Sequence, residues 1–152
     1  MPQAKKKPYP SQVEPRLYAR AQRLRRELAG SGYVKDADGD LDPALLPARE
    51  VLTELVWGKV WLRPGIDRRT RSFMNIALFM ALNRPQELVA NFRVALTNGL
   101  SRNDIAEAIL HAAVYCGAPC GVNTIALARK FFLEEDARAA ARKPARKARR
   151  RR

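Results

Sequence analysis

The chain has 152 residues, with 29 Lys or Arg against 15 Asp or Glu and a formal net charge of +14. This length suits one domain with a single core and is too short for two substantial ones. No run of 18 apolar residues occurs, which argues against a transmembrane helix, and Lys5–Lys7 is followed by Pro rather than by the apolar segment of a secretory signal. We therefore expect a cytoplasmic protein without a membrane partner, and reduced cysteines.

The positive charge is concentrated at the two ends of the chain. Residues 137–152 carry nine Lys or Arg and no acid, and residues 1–10 carry three Lys and no acid. We expect a disordered basic N-terminus over 1–10, a nearly neutral helical domain over 11–136, and a tail over 137–152 that is disordered or a frayed helix extension. The tail suits weak nonspecific nucleic-acid contact through phosphates, but it lacks an aromatic residue for base stacking, so a solvated tail is the default interpretation.

The first half of the chain predicts two helices separated by a loop. Residues 14–29 carry an apolar stripe at helical spacing, and glycines follow it. Residues 31–47 are rich in Asp, Gly and Pro and predict a loop. A second helix follows over about 48–60, and Trp57 and Trp61 near its end indicate core or subunit contacts, since each tryptophan buries a large area.

The second half predicts four more helices. Asp67 can cap a helix that runs to about Leu82, whose interior is apolar all round and is therefore expected to be buried on most sides. The next helix begins at Pro85 and runs to about Thr97. One more begins at Ser101, and the last runs over about 121–135. No alternating strand pattern is long enough to compete, so we predict an all-α fold of about six helices.

The stretch from Ser101 to Gly117 is the most informative part of the chain. Ser101 can cap the first free amides of a helix, while Asp104, three residues on, returns a hydrogen bond to the cap. Gly117 and Pro119 end this helix. Its apolar residues recur four apart and form a face that must be covered, which includes Ile105, Ile109 and Ala113.

A second stripe of the same helix carries Glu107, His111 and Tyr115. Residues spaced four apart lie one above another, so a carboxylate, an imidazole and a phenol can address one space. Two interpretations stay open: an ordinary surface pair between Glu107 and His111, or a functional group beside the helix break, where pockets form.

Four spaced motifs carry a family resemblance. They are WGKVWLRPGIDRRTRS at 57–72, ALNRPQEL at 81–88, ALTNG at 95–99 and YCGAP at 115–119. Together, over roughly residues 20–133, they resemble the γ-carboxymuconolactone decarboxylase family. The resemblance implies an alkylhydroperoxidase D-like helical fold, a ring-like homo-oligomer (a trimer or hexamer), and a decarboxylase that uses no cofactor or metal. Its substrate would be a small carboxylated lactone of the 4-carboxymuconolactone type, in the breakdown of aromatic compounds by the β-ketoadipate pathway.

The chemistry of that substrate explains which residue types are needed. When the carboxylate leaves the unsaturated lactone ring, its electrons pass through the double bond to the carbonyl, so the substrate is its own electron sink. The protein must hold carboxylates, stabilise an oxyanion and deliver a proton. His111 is the candidate proton donor, with Glu107 orienting it and Tyr115 donating to the oxyanion. Arg71 and Arg93 are candidate carboxylate ligands, with structural salt bridges as the alternative.

One departure from the family pattern is Asn91, which stands where the resemblance leads us to expect a histidine. Asn can hydrogen-bond a substrate but cannot shuttle a proton near neutral pH. Either His111 carries the acid–base work alone, or the substrate differs. We place Asn91 among the candidate substrate-binding residues, together with Trp61.

The second departure is Cys120, which forms Cys116-Gly-Ala-Pro-Cys120. This pair supports an alternative function, a thiol-dependent peroxidase or disulfide reductase of the alkylhydroperoxidase D type. Cys116 is then a catalytic candidate, and Cys120 a reactive thiolate favoured by the amides of a helix N-terminus. The ordinary alternative is that both are small buried hydrophobes.

Overall fold

The computed structural model describes residues 9–39 and 41–149, without the side chains of 36, 37 and 142–149. All regular structure in these ranges is helical, which confirms the all-α prediction. Residues 1–8 of the predicted disordered N-terminus and 150–152 of the tail lie outside the described residues. The seven α-helices are α1 (Pro15–Ala29), α2 (Ser31–Asp38), α3 (Leu46–Thr53), α4 (Arg68–Ala81), α5 (Pro85–Thr97), α6 (Arg102–Cys116) and α7 (Ala118–Arg149).

The described residues form two compact units. The first contains those up to Arg71 together with Thr97–Gly99, and the second contains Ser72–Leu96 and those from Leu100 onward. None of the described helices is both long enough and apolar enough to span a membrane.

In the first unit, α1 packs against a π-helical segment, Glu54–Val60, that continues α3. The approach is close at Gly58, where an added Cβ would lie 3.1 Å from Leu17 Cγ. Glu54 also accepts a 2.6 Å hydrogen bond from the backbone amide of Glu14, the residue that caps α1. Because a side chain at Gly58 would meet α1, this glycine sets the spacing of the two elements.

One prediction for this unit is corrected. The predicted loop over 31–47 contains α2 and a 3-10 helix, Pro43–Leu45. Arg25 of α1, which is buried, bonds Asp38 at the end of α2 through both guanidinium nitrogens, at 2.6 and 3.2 Å. Tertiary pairing of this kind overrides the weak helix propensity of a Gly- and Asp-rich segment.

The second unit is built around one apolar core to which α4, α5, α6 and α7 all contribute. Phe92 at its centre contacts Phe131, with ring centroids 5.8 Å apart. The buried members of the core are Ile76, Met80, Leu88, Phe92, Ala95, Leu100, Ile105, Ala108, Ile109, Ala112, Ala128 and Phe131.

Helix α4 begins as predicted, because Asp67 accepts hydrogen bonds from the Thr70 amide at 2.8 Å and from its hydroxyl at 2.6 Å. The same contacts lower the pKa of the exposed Asp67 carboxyl. The prediction of burial on most sides is wrong for this chain: Met74 and Leu78 are 47% and 52% exposed. The buried residues of α4, Ser72, Ile76 and Met80, recur four apart and meet the core on one side, so apolar residues on its outer faces stay at the surface.

Helices α6 and α7 form an antiparallel hairpin around Gly117. This glycine has φ +92° and its amide donates to Ala113 O at 2.9 Å, which closes α6. At Gly121 an added Cβ would lie only 2.7 Å from Ala113 Cβ. Helix α7 begins at Ala118, three residues earlier than predicted. It runs on to Arg149 and so includes residues 137–149, for which the sequence left open either disorder or a helix extension.

The hairpin contact gives a stability prediction. Gly121→Ala should lower the free energy of unfolding by roughly 1–3 kcal/mol, because the new methyl group must push α7 away from Ala113. Gly32→Ala is the matched control: nothing lies within 4 Å of its added Cβ, and alanine suits its helical position. Urea unfolding of the two variants measures the difference, and a Gly121→Ala protein as stable as the control would contradict this account.

A second prediction concerns pH. Arg102 of α6 donates to Asp136 of α7 at 2.5 and 3.1 Å, and this guanidinium lowers the pKa of Asp136. A carboxyl with a lowered pKa stabilises the fold above its ordinary pKa and loses that effect as the pH falls through its folded value. The wild type should exceed Asp136→Asn in melting temperature at pH 7, and the difference should vanish under acid conditions.

The control for this measurement is Glu134→Gln. Glu134 lies on the same helix, but its ion pair with Arg138 is longer, at 3.8 Å, and is therefore weaker. Its effect should be smaller at every pH. A melting-temperature difference for Asp136→Asn that does not change between neutral and acid pH would exclude the ion pair as its cause.

Candidate active site

Helix α6 holds the predicted stripe, and its rotation is fixed at both ends. Ser101 Oγ accepts from the Asp104 amide at 3.0 Å, while Asp104 Oδ2 accepts from the Ser101 amide at 2.7 Å, so the predicted capping box is confirmed. Ile105 and Ile109 are buried against the core. With that face turned inward, the polar stripe must face outward.

The structure brings His111 and Tyr115 together. Their ring centroids are 5.1 Å apart with an interplanar angle of 51°, and both residues are exposed, Tyr115 by 78%. Glu107 is exposed one turn before His111. Within the described part of the chain no hydrogen bond joins Glu107 to His111. The arrangement thus offers an imidazole and a phenol side by side, with a carboxylate further along the same helix.

Two candidate ligands on α5 already have protein partners. Arg93 donates to Glu135 of α7 at 2.5 Å, and its guanidinium lies 5.6 Å from the Phe131 ring centroid. Asn91 accepts from Asn75 of α4 at 3.0 Å and donates to Glu87 O at 2.8 Å. The side-chain oxygen of Asn91 therefore links α5 to α4, while its NH2 group bonds to the preceding turn of α5.

The other two candidates, Arg71 and Trp61, contact protein groups close to them in the chain. Arg71 donates from Nε to Ile66 O at 3.0 Å and from Nη2 to Arg63 O at 3.4 Å, so it braces the turn before α4. Trp61 is buried and stacks on Trp57, with centroids 5.4 Å apart. Trp61 matches the expectation of a core contact, and Arg71 the expectation of a structural contact.

Both cysteines are free thiols. Cys116 is exposed at the end of α6, whereas Cys120 is partly buried in the first turn of α7 and its Sγ lies 3.2 Å from Met80 O, to which it donates. A carbonyl oxygen accepts a hydrogen bond from a thiol and repels a thiolate. Cys120 is thus placed as a polar link between α4 and α7.

The two thiols share a concave site that sequence reasoning missed. This site, which we call the Arg84 cavity, has a volume of about 380 Å³ and lies where the end of α4, the start of α5 and the first turns of α7 meet. The Asn83-Arg84-Pro85 turn was visible in the sequence as a helix boundary, but its proximity to Cys116 depends on the fold. Polar groups in its lining are Asn83, Arg84, Cys116, Cys120, Asn123 and Thr124.

A larger, open groove runs between α6 and α7, with a volume of about 660 Å³. We call it the hairpin groove. Its walls are mainly aliphatic, and several of its side chains are more than half exposed. Charged residues, Arg102, Arg129 and Asp136, lie at its edges. The aliphatic members with the greatest exposure are Leu110, Val122, Ile125 and Leu133.

Across residues 9–39 and 41–149, no three or more His, Cys, Asp or Glu side chains are grouped so that they could hold a metal ion.

Comparison with known proteins gives a family match and three relatives. A family model described as the carboxymuconolactone decarboxylase family matches residues 47–130. A nitrosuccinic acid decarboxylase of Metarhizium robertsii is 38% identical, over 76% of this chain and 80% of that protein. A 4-carboxymuconolactone decarboxylase of Acinetobacter baylyi is 31% identical, over 76% of this chain and 86% of that protein. An uncharacterised protein of Paracoccus denitrificans is 32% identical over 56% of this chain and 65% of its own length.

Proposed function

Because the chain belongs to the carboxymuconolactone decarboxylase family, we propose that it decarboxylates a small dicarboxylate whose leaving carboxylate is attached to a carbon next to an electron acceptor. The support comes from two relatives that are named for decarboxylation of different compounds, nitrosuccinic acid and 4-carboxymuconolactone. A carboxylated lactone of the second type is the substrate that the sequence motifs favour. Nitrosuccinic acid is the second candidate, favoured by the higher identity of the first relative.

The two compounds share one mechanism. In the lactone, electrons from the breaking carbon–carbon bond pass through the ring double bond to the carbonyl oxygen. In nitrosuccinic acid they pass to the nitro group and give a nitronate. Each intermediate is an oxyanion that must then take a proton on carbon, and each molecule keeps a second carboxylate. Neither reaction needs an added electron sink, so a cofactor-independent decarboxylase suits both.

The observation that carries the assignment is the contact between His111 and Tyr115 on an exposed helix face. A phenol is a suitable donor to the oxyanion, and an imidazole is a suitable source of the proton near neutral pH. Glu107, on the same face, is the candidate that orients His111. Asn91 lacks a transferable proton at that pH, which leaves His111 as the proposed acid.

The acid assignment predicts that His111→Gln lowers kcat by roughly 10²- to 10⁴-fold, since Gln keeps a hydrogen-bonding amide but donates no proton. The assay follows CO2 release from 4-carboxymuconolactone and from nitrosuccinic acid, with circular dichroism to check folding. Tyr115→Phe should also slow turnover, because the oxyanion loses one donor. Unchanged kcat in His111→Gln would remove this residue from the proton-transfer step.

The same assay separates the decarboxylase from the thiol enzyme. Turnover by the decarboxylase should persist in the Cys116→Ala and Cys120→Ala variants, because neither thiol takes part in its chemistry. Loss of all activity in both variants, together with reduction of a peroxide by a dithiol in the wild type, would support the alternative that uses Cys116 and Cys120. The hydrogen bond from Cys120 to Met80 O weighs against that alternative, because a thiolate could not make it.

We also propose that the protein is a homo-oligomer in which a second copy covers the hairpin groove. Monomers rarely expose so continuous an apolar surface, and the charges of both signs at its edges, Arg129 and Asp136 among them, suit pairing with a copy of the same chain. The tail's weak contact with nucleic acid remains a subsidiary proposal.

Light scattering after gel filtration tests this assembly. Ile125→Glu should reduce the molar mass toward that of one chain, because it places a charge on the apolar groove. Leu45→Glu, which changes a similarly exposed aliphatic residue outside the groove, should leave the mass unchanged. A wild-type protein that is already monomeric would refute the proposal.

A further inference from the structure

The Arg84 cavity has the features of an anion site. Arg84 is the one basic residue in its lining, and the lining contains no carboxylate. In the part of the chain that the structure describes, no acidic side chain pairs with Arg84. By contrast, Arg25, Arg93 and Arg102 all donate to carboxylates. No acidic side chain in the cavity lining therefore balances the positive charge of Arg84.

The backbone around Arg84 is held in one conformation. Its amide donates to Phe79 O at 2.9 Å, and its carbonyl accepts from the Leu88 amide at 2.9 Å. The preceding Asn83 has φ +50°, a left-handed conformation that Asn tolerates better than most residues, and its amide donates to Met80 O at 3.1 Å. The root of the Arg84 side chain is thus fixed at the edge of the cavity before any ligand arrives.

The remaining lining suits a short carbon chain with polar ends. Asn83 and Asn123 supply amide donors, while Met80, Leu88 and Leu127 supply apolar surface. The volume of about 380 Å³ is at the lower end of the range for small-molecule sites. A planar guanidinium matches the two oxygens of a carboxylate.

We propose that the Arg84 cavity binds one carboxylate of a small dicarboxylate through Arg84, with Asn83 and Asn123 as further donors. The choice of ligand class rests on the proposed function, because both candidate substrates keep a carboxylate that does not leave. Arg84 takes over the anchoring role that sequence reasoning gave to Arg71 and Arg93. Both of those side chains are already engaged with protein groups.

Calorimetric titration with succinate, a dicarboxylate without an electron acceptor, tests binding apart from catalysis. Arg84→Gln should weaken succinate binding by roughly 10- to 100-fold, as expected for loss of a charged hydrogen-bonded partner. Arg23→Gln is the matched control, since it removes the same charge from an exposed position on α1. Neutral succinamide should not distinguish Arg84→Gln from wild type. Equal succinate affinity in Arg84→Gln and wild type, or no binding to wild type, would overturn the proposal.

Alkylation of Cys116 gives a second readout, because this exposed thiol lies in the same cavity. The ratio of the alkylation rate with anionic iodoacetate to the rate with neutral iodoacetamide should be higher in wild type and Arg23→Gln than in Arg84→Gln. Succinate should slow both reagents. A rate ratio unaffected by Arg84→Gln would count against the site. Neither measurement needs turnover, so a protein that binds succinate through Arg84 but decarboxylates neither candidate would refute the proposed function alone.

Discussion

The contact between Gly121 and Ala113 is the constraint on which the second unit depends. Only a residue without a side chain lets α7 pass so near α6 directly after the turn at Gly117. That proximity places Phe131 of α7 against Phe92 and brings the first turn of α7 to the end of α4, where Cys120 meets Met80 O. The core and the Arg84 cavity are thus two consequences of one tight helix reversal.

The reversal also divides the ionisable groups of this unit into two sets. Glu135 and Asp136 lie on α7 beside the start of α6 and the end of α5. They form ion pairs with Arg93 and Arg102. Arg93 and Arg102 are therefore engaged in ion pairs within the fold, while Arg84, in the turn between α4 and α5, has no acidic partner among the described residues. Since a guanidinium already paired with a carboxylate attracts an anion less strongly, Arg93 and Arg102 are less suited to binding a substrate anion than an arginine without an acidic partner.

Local signals predicted the parts of the fold that depend on local hydrogen bonds. The capping box at Ser101, the cap at Asp67 and the helix start at Pro85 all lie where the sequence placed them. Helix α2 was missed because a partly buried ion pair between Arg25 and Asp38 supports it, and pairs thirteen residues apart carry no periodic signal. The Arg84 cavity was missed because it brings together residues from four helices, which share no pattern along the chain.

The exposed face of α4 and the hairpin groove show what hydrophobic patterns in the sequence do not predict. A helix that is apolar all round predicts burial, but the pattern does not say whether its own chain or another supplies the cover. Leu78 of α4 is exposed, as are Ile125 and Leu133 of α7, although each fits a buried position by composition. Leaving such surface in water costs about 25 cal/mol per Å² of apolar area, so a second chain that covered it would be stabilised by the same effect that forms the core.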